Sequence, residues 1–420
     1  MLEARSSSRS ADELDPDPST PGVFITERTV LISGAGIAGP VLAYWLKRFG
    51  FTPTMVERSP ELRDSGQNVD VRGIGREVLR RMGLEDRVRA SGTGEVGLRF
   101  VDDRGRSLGE FPVGDSASGD GPTAELEILR SQLSRLLVEE AGEVEFLFGE
   151  RIVSVEQDEG GVDVTFAAAG TRRFDLLIVA EGIRSTTRNA VFGAEPDYRD
   201  LGFYTAYCTI PKSADDDRWW QWYTTTGGRS VQLRPDNVGS TRASLNFRSP
   251  PTGLDYQSRE DQVQALREVF ADVGYAAPRI LDALAEDPSS LYLDRIAQVR
   301  LPSWSTGRVA VVGDAAYCAT PVSGMGTSLA IAGAYLLAGA LGATTEHAEA
   351  FAAYERHMRP FVDEAQKLPP GVPGIANPMS RLGVRVFRTA VRVVASAPAR
   401  ALTSRLTASS TDRAPTLPDF

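Results

Sequence analysis

Residues 29–58 read TVLISGAGIAGPVLAYWLKRFGFTPTMVER, and this stretch decides the fold. Val30, Leu31 and Ile32 form a short apolar strand, Gly34, Gly36 and Gly39 give the spacing G-x-G-x-x-G, and an apolar helix runs to Phe49 before Gly50 ends it. Each glycine has its own steric reason: Gly34 for the tight turn, Gly36 for close approach of a pyrophosphate, and Gly39 for packing of helix on strand. The helix start then presents free N–H groups and a positive dipole end to phosphate. A second strand, Thr54 to Val56, ends on Glu57, eighteen residues past Gly39, where a carboxylate can accept hydrogen bonds from an adenosine ribose. Gly92, Gly94 and Gly97 repeat the spacing, but they follow a helix-like segment and precede a strand-like one. That order is reversed, so they predict an ordinary loop.

A chain of 420 residues with 42% hydrophobic and 24% charged side chains is expected to form a globular protein of two or three domains. Cys208 and Cys318 are too few for a disulfide framework, which fits a reducing cytoplasm, and His347 and His357 are too few for a zinc site or a Ser-His-Asp triad. No metal site is expected. A formal charge of -10 argues against nucleic acid as a partner. The apolar runs Val30–Leu46 and Val309–Gly342 carry glycines and, in the second, Asp314, so they read as buried α/β core instead of membrane spans. Residues 1–26, rich in Ser, Asp and Pro, read as a disordered tail.

Beyond Glu57 the pattern predicts a short strand near Val69–Arg72, a helix over Ile74–Met82, a hairpin around the turn Asp102–Arg106, and an amphipathic helix over Ala124–Ala141 that carries Arg130. Strands follow at Val144–Phe148, in a hairpin from Ile152 to Phe166, and at Leu176–Ala180. From Phe203 to Phe247 the strands turn polar and aromatic and predict a separate antiparallel sheet. After a helical stretch to Ala285 and an element over Leu291–Leu301, a buried strand at Arg308–Val312 ends on Gly313 and Asp314. A long small-residue helix then begins near Thr327. Met379–Leu406 holds arginines 381, 385, 388, 392, 400 and 405 with no acidic residue; two readings compete, an anionic membrane surface and a helix clamping two domains, and the clamp is preferred.

Four separated pieces, GAGIAG with Glu57, ILRSQL with Arg130, DLLIVAEGIRSTTR, and GRVAVVGDAAYCATPVSGMGTSLA, occur in the order seen in FAD-dependent aromatic hydroxylases. Over roughly Thr29–Pro370 the chain resembles the p-hydroxybenzoate hydroxylase class of flavoprotein monooxygenases, and most of all its tetracycline-inactivating and polyketide-tailoring branch. The resemblance implies an α/β fold: a Rossmann-like FAD-binding domain built from residues 27–90, 124–195 and 300–367, a mixed β-sheet substrate domain from 91–123 and 196–299, and a C-terminal helix and tail over 368–420. It implies FAD contacts at Gly34, Gly36, Ala38, Gly39, Glu57, Arg58, Arg130, Gly313, Asp314, Pro321, Gly324, Met325, Gly326 and Thr327. Two departures stand out. Glu181-Gly182 replaces the usual Asp-Gly ahead of Arg184 and Arg188, and Tyr317 stands where the family has histidine.

The implied chemistry is reduction of FAD by NADPH or NADH, reaction with dioxygen, and transfer of one oxygen atom from a flavin hydroperoxide to an aromatic or polyketide-type substrate. Trp220, Trp222, Gln232, Arg234 and Asn246, with Tyr223, offer the flat surface and few polar groups of an aromatic pocket, although alternation lets only about half of a strand's residues face one side. A monomer or homodimer in the cytoplasm without a membrane span is expected. The alternatives are a flavin reductase or dehydrogenase, a halogenase, and a non-catalytic protein on the same fold. Trp220-Gln221-Trp222 imitates a halogenase motif, but the Ile-Pro usual after it and the lysine usual near residue 80 are missing, and the loop Pro321–Thr327 counts against mere storage.

Overall fold

The computed structural model describes residues 28–63, 66–114, 123–193, 195–368, 374–396 and 416–420. The N-terminal tail, most of the LPPGVPG link and arginines 400 and 405 lie outside them. β1 (Arg28–Ser33), α1 (Ala38–Arg48) and β2 (Phe51–Glu57) form the predicted βαβ unit, with both strands parallel and Ile32 opposite Met55. β3 (Asn68–Val71), α2 (Gly73–Arg81), α3 (Glu85–Ala90) and the hairpin of β4 (Gly97–Val101) and β5 (Ser107–Pro112) follow. Gly92 and Gly94 lie in the loop between α3 and β4, and Gly97 opens β4, as the reversed context predicts.

The single helix expected over Ala124–Ala141 is corrected. β6 (Leu126–Leu129) pairs antiparallel with β3, and α4 (Arg130–Ala141) starts only after it. Leu126, Ile128 and Leu129 are all buried on that pair, so apolar spacing compatible with a helix instead fills a strand covered on both sides. Arg130 therefore occupies the first turn of a helix.

β7 (Glu145–Phe148), β8 (Ile152–Gln157), β9 (Val162–Phe166), β10 (Thr171–Phe174), β11 (Leu176–Val179) and α5 (Thr186–Phe192) come next. β12 (Asp197–Pro211), β13 (Trp220–Thr225), β14 (Arg229–Pro235) and β15 (Ser240–Arg248) lead to α6 (Arg259–Val269), α7 (Ala277–Glu286) and β16 (Tyr292–Arg300). β17 (Ser305–Thr306), β18 (Val309–Val311), α8 (Asp314–Tyr317), α9 (Gly326–Ala343), α10 (His347–Ala365) and α11 (Arg381–Val394) complete the chain.

Two sheets organise these elements. The first has the order β17-β18-β11-β1-β2-β7, parallel except at β17; its central strands β18, β11, β1 and β2 are largely buried in one core with residues of α1, α4, α9 and α10, while the edge strands β7 and β17 are partly exposed. The second has the order β16-β12-β15-β14-β13-β4-β5, and one of its faces is closed by α6 and α7. α9 is long and apolar enough to cross a membrane by length and composition, yet it is mostly buried in the first core.

One face of α11 clamps the far edge of the second sheet. Val384 and Val391 are buried, Phe387 meets Phe100 edge-on at 5.5 Å, and Arg388 donates to the Thr224 carbonyl while its guanidinium lies over Tyr223. These contacts reach the second sheet alone, through apolar side chains and Arg388, and Arg381, Arg385 and Arg392 are exposed, so they do not display a helix joining two domains through its arginines.

Candidate active site

The site begins at the β1–α1 turn. Gly34 has φ +110°, and a Cβ there would lie 2.5 Å from the Ala180 carbonyl oxygen. A Cβ on Gly39 would collide with the Gly34 carbonyl and stand 3.0 Å from Met55 Cε, so the loop closes only without these side chains. The Ile37 side chain makes no cap and the first turn of α1 holds no acidic residue, which leaves its N–H groups to whatever anion lies in front of them. Ser134 Oγ of α4 grips the loop by donating to the Ala35 and Gly36 carbonyls, at 3.2 and 3.0 Å.

Glu57 is committed first to the loop itself. Its oxygens accept from Ala35 N and Ser59 N, both at 3.0 Å, and each oxygen keeps acceptor capacity for a ribose. Arg58 beside it is exposed. The Arg130 guanidinium stands 3.2 Å from where a Gly36 Cβ would be, above the turn, and makes no hydrogen bond or ion pair among the described residues.

The second half of the site follows β18. Gly313 turns the chain at φ +68°, with its Cβ position 3.4 Å from Ala38 Cβ, which brings the two glycine turns together. Asp314 is solvent-exposed although protein surrounds it, as a residue lining a cleft should be. Its depth pushes the carboxyl above the ordinary range, and Arg130 opposes that shift. Pro321–Ser323 makes one tight turn, Gly324 is left-handed, and Met325 gives α9 an N-terminus with no side-chain cap. The Cβ position of Gly326, first residue of α9, is 3.8 Å from Asp314 Oδ1, with Thr327 next in the same turn. Thr320 holds φ +80°, and its buried hydroxyl has no partner among the described residues. Such strain persists only where the surroundings enforce it, and no sequence pattern singled it out.

All five predicted wall residues share one face of the second sheet. Trp222 pairs with Gln232, Gln232 with Ser244, and Ser230 with Asn246, so the register puts Trp220, Trp222, Gln232, Arg234 and Asn246 together, away from α6 and α7. Tyr223 is on the opposite face, buried beside Tyr275 in the second core. Three of the five satisfy one another: Trp220 Nε1 donates to Gln232 Oε1 at 3.2 Å, and the Arg234 guanidinium lies over the Trp220 ring at 4.4 Å. Trp222 Nε1 and Ser230 Oγ are buried without a hydrogen-bond partner among the described residues. The face looks across at β3 and β6, to which Asn68 Nδ2 ties it through the Pro235 carbonyl at 2.9 Å.

A family model described as an FAD binding domain matches residues 27–367. The chain is 38% identical over 392 residues to the flavin-dependent monooxygenase eupH of a Phoma species, covering 87% of this chain and 91% of that protein. It is 37% identical over 342 residues to a flavin-dependent monooxygenase of Legionella longbeachae, covering 80% and 87%. The chain belongs to the FAD-binding-domain family and is an FAD-dependent monooxygenase. Among solved structures it is similar to the tetracycline destructase Tet(55), with a TM-score of 0.77 and 31% identity over 94% of this chain and 99% of that one.

The monooxygenase's two departures from its family have structural accounts. Glu181 receives hydrogen bonds from Ser33 Oγ, Ser185 Oγ and Thr187 Oγ1 at 2.5–2.6 Å, so its longer arm ties the end of β1 to the start of α5. Tyr317 points into the first core: it is 2% exposed, bonded to Tyr354 Oη at 3.1 Å, and packed on Trp304. It fills space and does not reach the cleft. We therefore expect Tyr317→Phe to cost about 1 kcal/mol of stability and leave FAD affinity unchanged, checked by urea unfolding and flavin fluorescence titration.

Sequence reasoning missed the charge cluster beneath Trp220. Arg234 pairs with Glu95 at 2.8 and 3.0 Å and lies 3.6 Å from both Asp70 and Glu127, while Arg72 pairs with Asp70 at 2.6 Å. Asn68 and Thr93 donate to Glu127. Three carboxylates face two guanidinium groups, and burial pushes Glu95 up to about 7. A carboxyl raised on folding contributes stability that is complete below its unfolded range and is lost as pH rises through about 7. Relative to Glu95→Gln, the wild-type urea midpoint should therefore fall between about pH 5 and about pH 8. Equal slopes would contradict this. Glu95 sits in the loop read as ordinary, where nothing in one sequence marks a tertiary pairing.

Proposed function

We propose that the monooxygenase uses NADPH or NADH, with dioxygen, to insert one oxygen atom into an electron-rich aromatic or polyketide-type ring held against the Trp220–Trp222 face. The carrying observation is the Nε1–H of Trp222, without a partner among the described residues, on a face shared by four other predicted wall residues. A buried donor without a partner suits a site that a polar, flat ligand completes.

The residues fit FAD. The bare glycine turn beneath Arg130 leaves room that a side chain would fill, and the uncapped start of α1 supplies N–H groups for a pyrophosphate. In this reading Glu57 takes the adenosine ribose, Arg130 and α1 the pyrophosphate, and Asp314 the ribityl hydroxyls. Bound FAD supplies acceptance of hydride and activation of dioxygen. The N–H groups at the start of α9, after Gly324 and Met325, can stabilise negative charge that develops at a ring edge placed before them. Arg188 and Glu181 hold the neighbouring turn in place. The aromatic face orients the substrate ring and keeps water from the reacting atoms. In this division of labour none of these residues acts as a nucleophile.

The test is a visible absorption spectrum of the purified protein, then NADPH consumption in air with polycyclic phenols. Flavin absorption and substrate-stimulated consumption support the reading. Flavin with consumption that no phenol accelerates would move it to a reductase.

A further inference from the structure

α11 has a second face that the clamp does not use. Helical periodicity places Leu382, Val386 and Val393 in one stripe opposite the buried Val384 and Val391, and they are 70%, 60% and 59% exposed. Six of the fourteen exposed large apolar side chains among the described residues lie between Ile375 and Val394, so this is a concentration and not the usual scatter. Arg381, Arg385 and Arg392 are exposed along one flank of the stripe. No aspartate or glutamate occurs from Met379 to Leu406, in a chain of net charge -10.

We propose that this outward face of α11 docks on an anionic membrane surface. The helix has the required division: aliphatic side chains to enter the headgroup and acyl boundary, and guanidinium groups beside them to meet lipid phosphate. Charge complementarity selects the occupant, because an uninterrupted arginine flank on an otherwise acidic protein attracts an anionic layer without local repulsion. The inner face stays bound to the second sheet through Val384, Phe387 and Val391, so the protein lies on the surface as a folded body and no segment needs to unfold. This inference stands apart from the substrate and cofactor reading.

The experiment is co-sedimentation of the full, flavin-loaded chain with vesicles of phosphatidylcholine alone and of phosphatidylcholine with phosphatidylglycerol. We expect binding to the anionic vesicles to exceed that to neutral ones about tenfold and to weaken with salt. The pair Leu382→Asp and Val386→Asp should lower it about tenfold, and the triple change of Arg381, Arg385 and Arg392 to Gln should do the same. An unchanged flavin spectrum and circular dichroism certify that each variant is folded. Absence of binding to anionic vesicles at low salt, or binding indifferent to both sets of substitutions, overturns the proposal. So does a concentration-dependent dimer in analytical ultracentrifugation that the aspartate pair dissolves, because the stripe would then cover a second copy.

Discussion

Gly39→Ala weakens FAD binding about a hundredfold, equivalent to about 2.7 kcal/mol. The added methyl group collides with the Gly34 carbonyl and crowds Met55 Cε at 3.0 Å. Neither neighbour can yield cheaply: Gly34 is fixed by its own N–H to the Val56 carbonyl at 2.8 Å and by the Ala180 carbonyl pressed against it. The start of α1 must therefore lift from β1, which carries the helix N–H groups away from the phosphate position. Gly50→Ala is the control. Gly50 ends the same helix at φ +79°, with nothing within 4 Å of its Cβ position. That substitution costs about 1 kcal/mol of stability through its backbone conformation and spares flavin affinity. Flavin fluorescence titration of both proteins separates a steric effect at the turn from a general loss of stability.

Arg188→Ala lowers stability by about 4 kcal/mol, the largest effect expected of any single change outside the glycine turn. Its side chain is fully buried and donates to the Ile183 carbonyl at 3.0 Å, the Ala315 carbonyl at 3.0 Å, Asn189 Oδ1 at 3.0 Å and Tyr198 Oη at 2.7 Å. Removal takes the buried donor from the Ala315 carbonyl, leaves the Ile183 carbonyl to Tyr198 Oη alone at 3.2 Å, and opens a cavity. It also releases Ala315, the residue after Asp314, so the cleft should loosen with the fold. Arg188→Lys should recover only part of the loss, because one ammonium cannot reproduce the planar fork that reaches four acceptors. The midpoint of urea unfolding measures both variants. A fall of less than about 1 kcal/mol for Arg188→Ala would show that the network is dispensable.

How much of this was legible in the sequence depends on how local each signal is. The β1–α1–β2 unit was readable because glycine spacing, strand polarity and Glu57 lie within thirty residues and obey one steric logic. The Gly313–Thr327 segment was readable for the same reason. The boundary at Arg130 was not, since leucines buried on both sides of a short strand can also be spaced for a helix. The face shared by Trp220, Gln232 and Asn246 depends on strand register, which a single strand does not reveal. Glu95, Asp70 and Glu127 meet Arg234 from three separate segments, and Thr320 is strained by its surroundings. Both are consequences of tertiary contact alone.

The measurement that bears most directly on the central claim is mass spectrometry of the product formed from a polycyclic phenol, with NADPH and isotopically labelled dioxygen. A product carrying one labelled oxygen atom is the predicted result, with the second atom appearing in water. A turned-over phenol whose product carries no label, while NADPH is still consumed, would contradict the account.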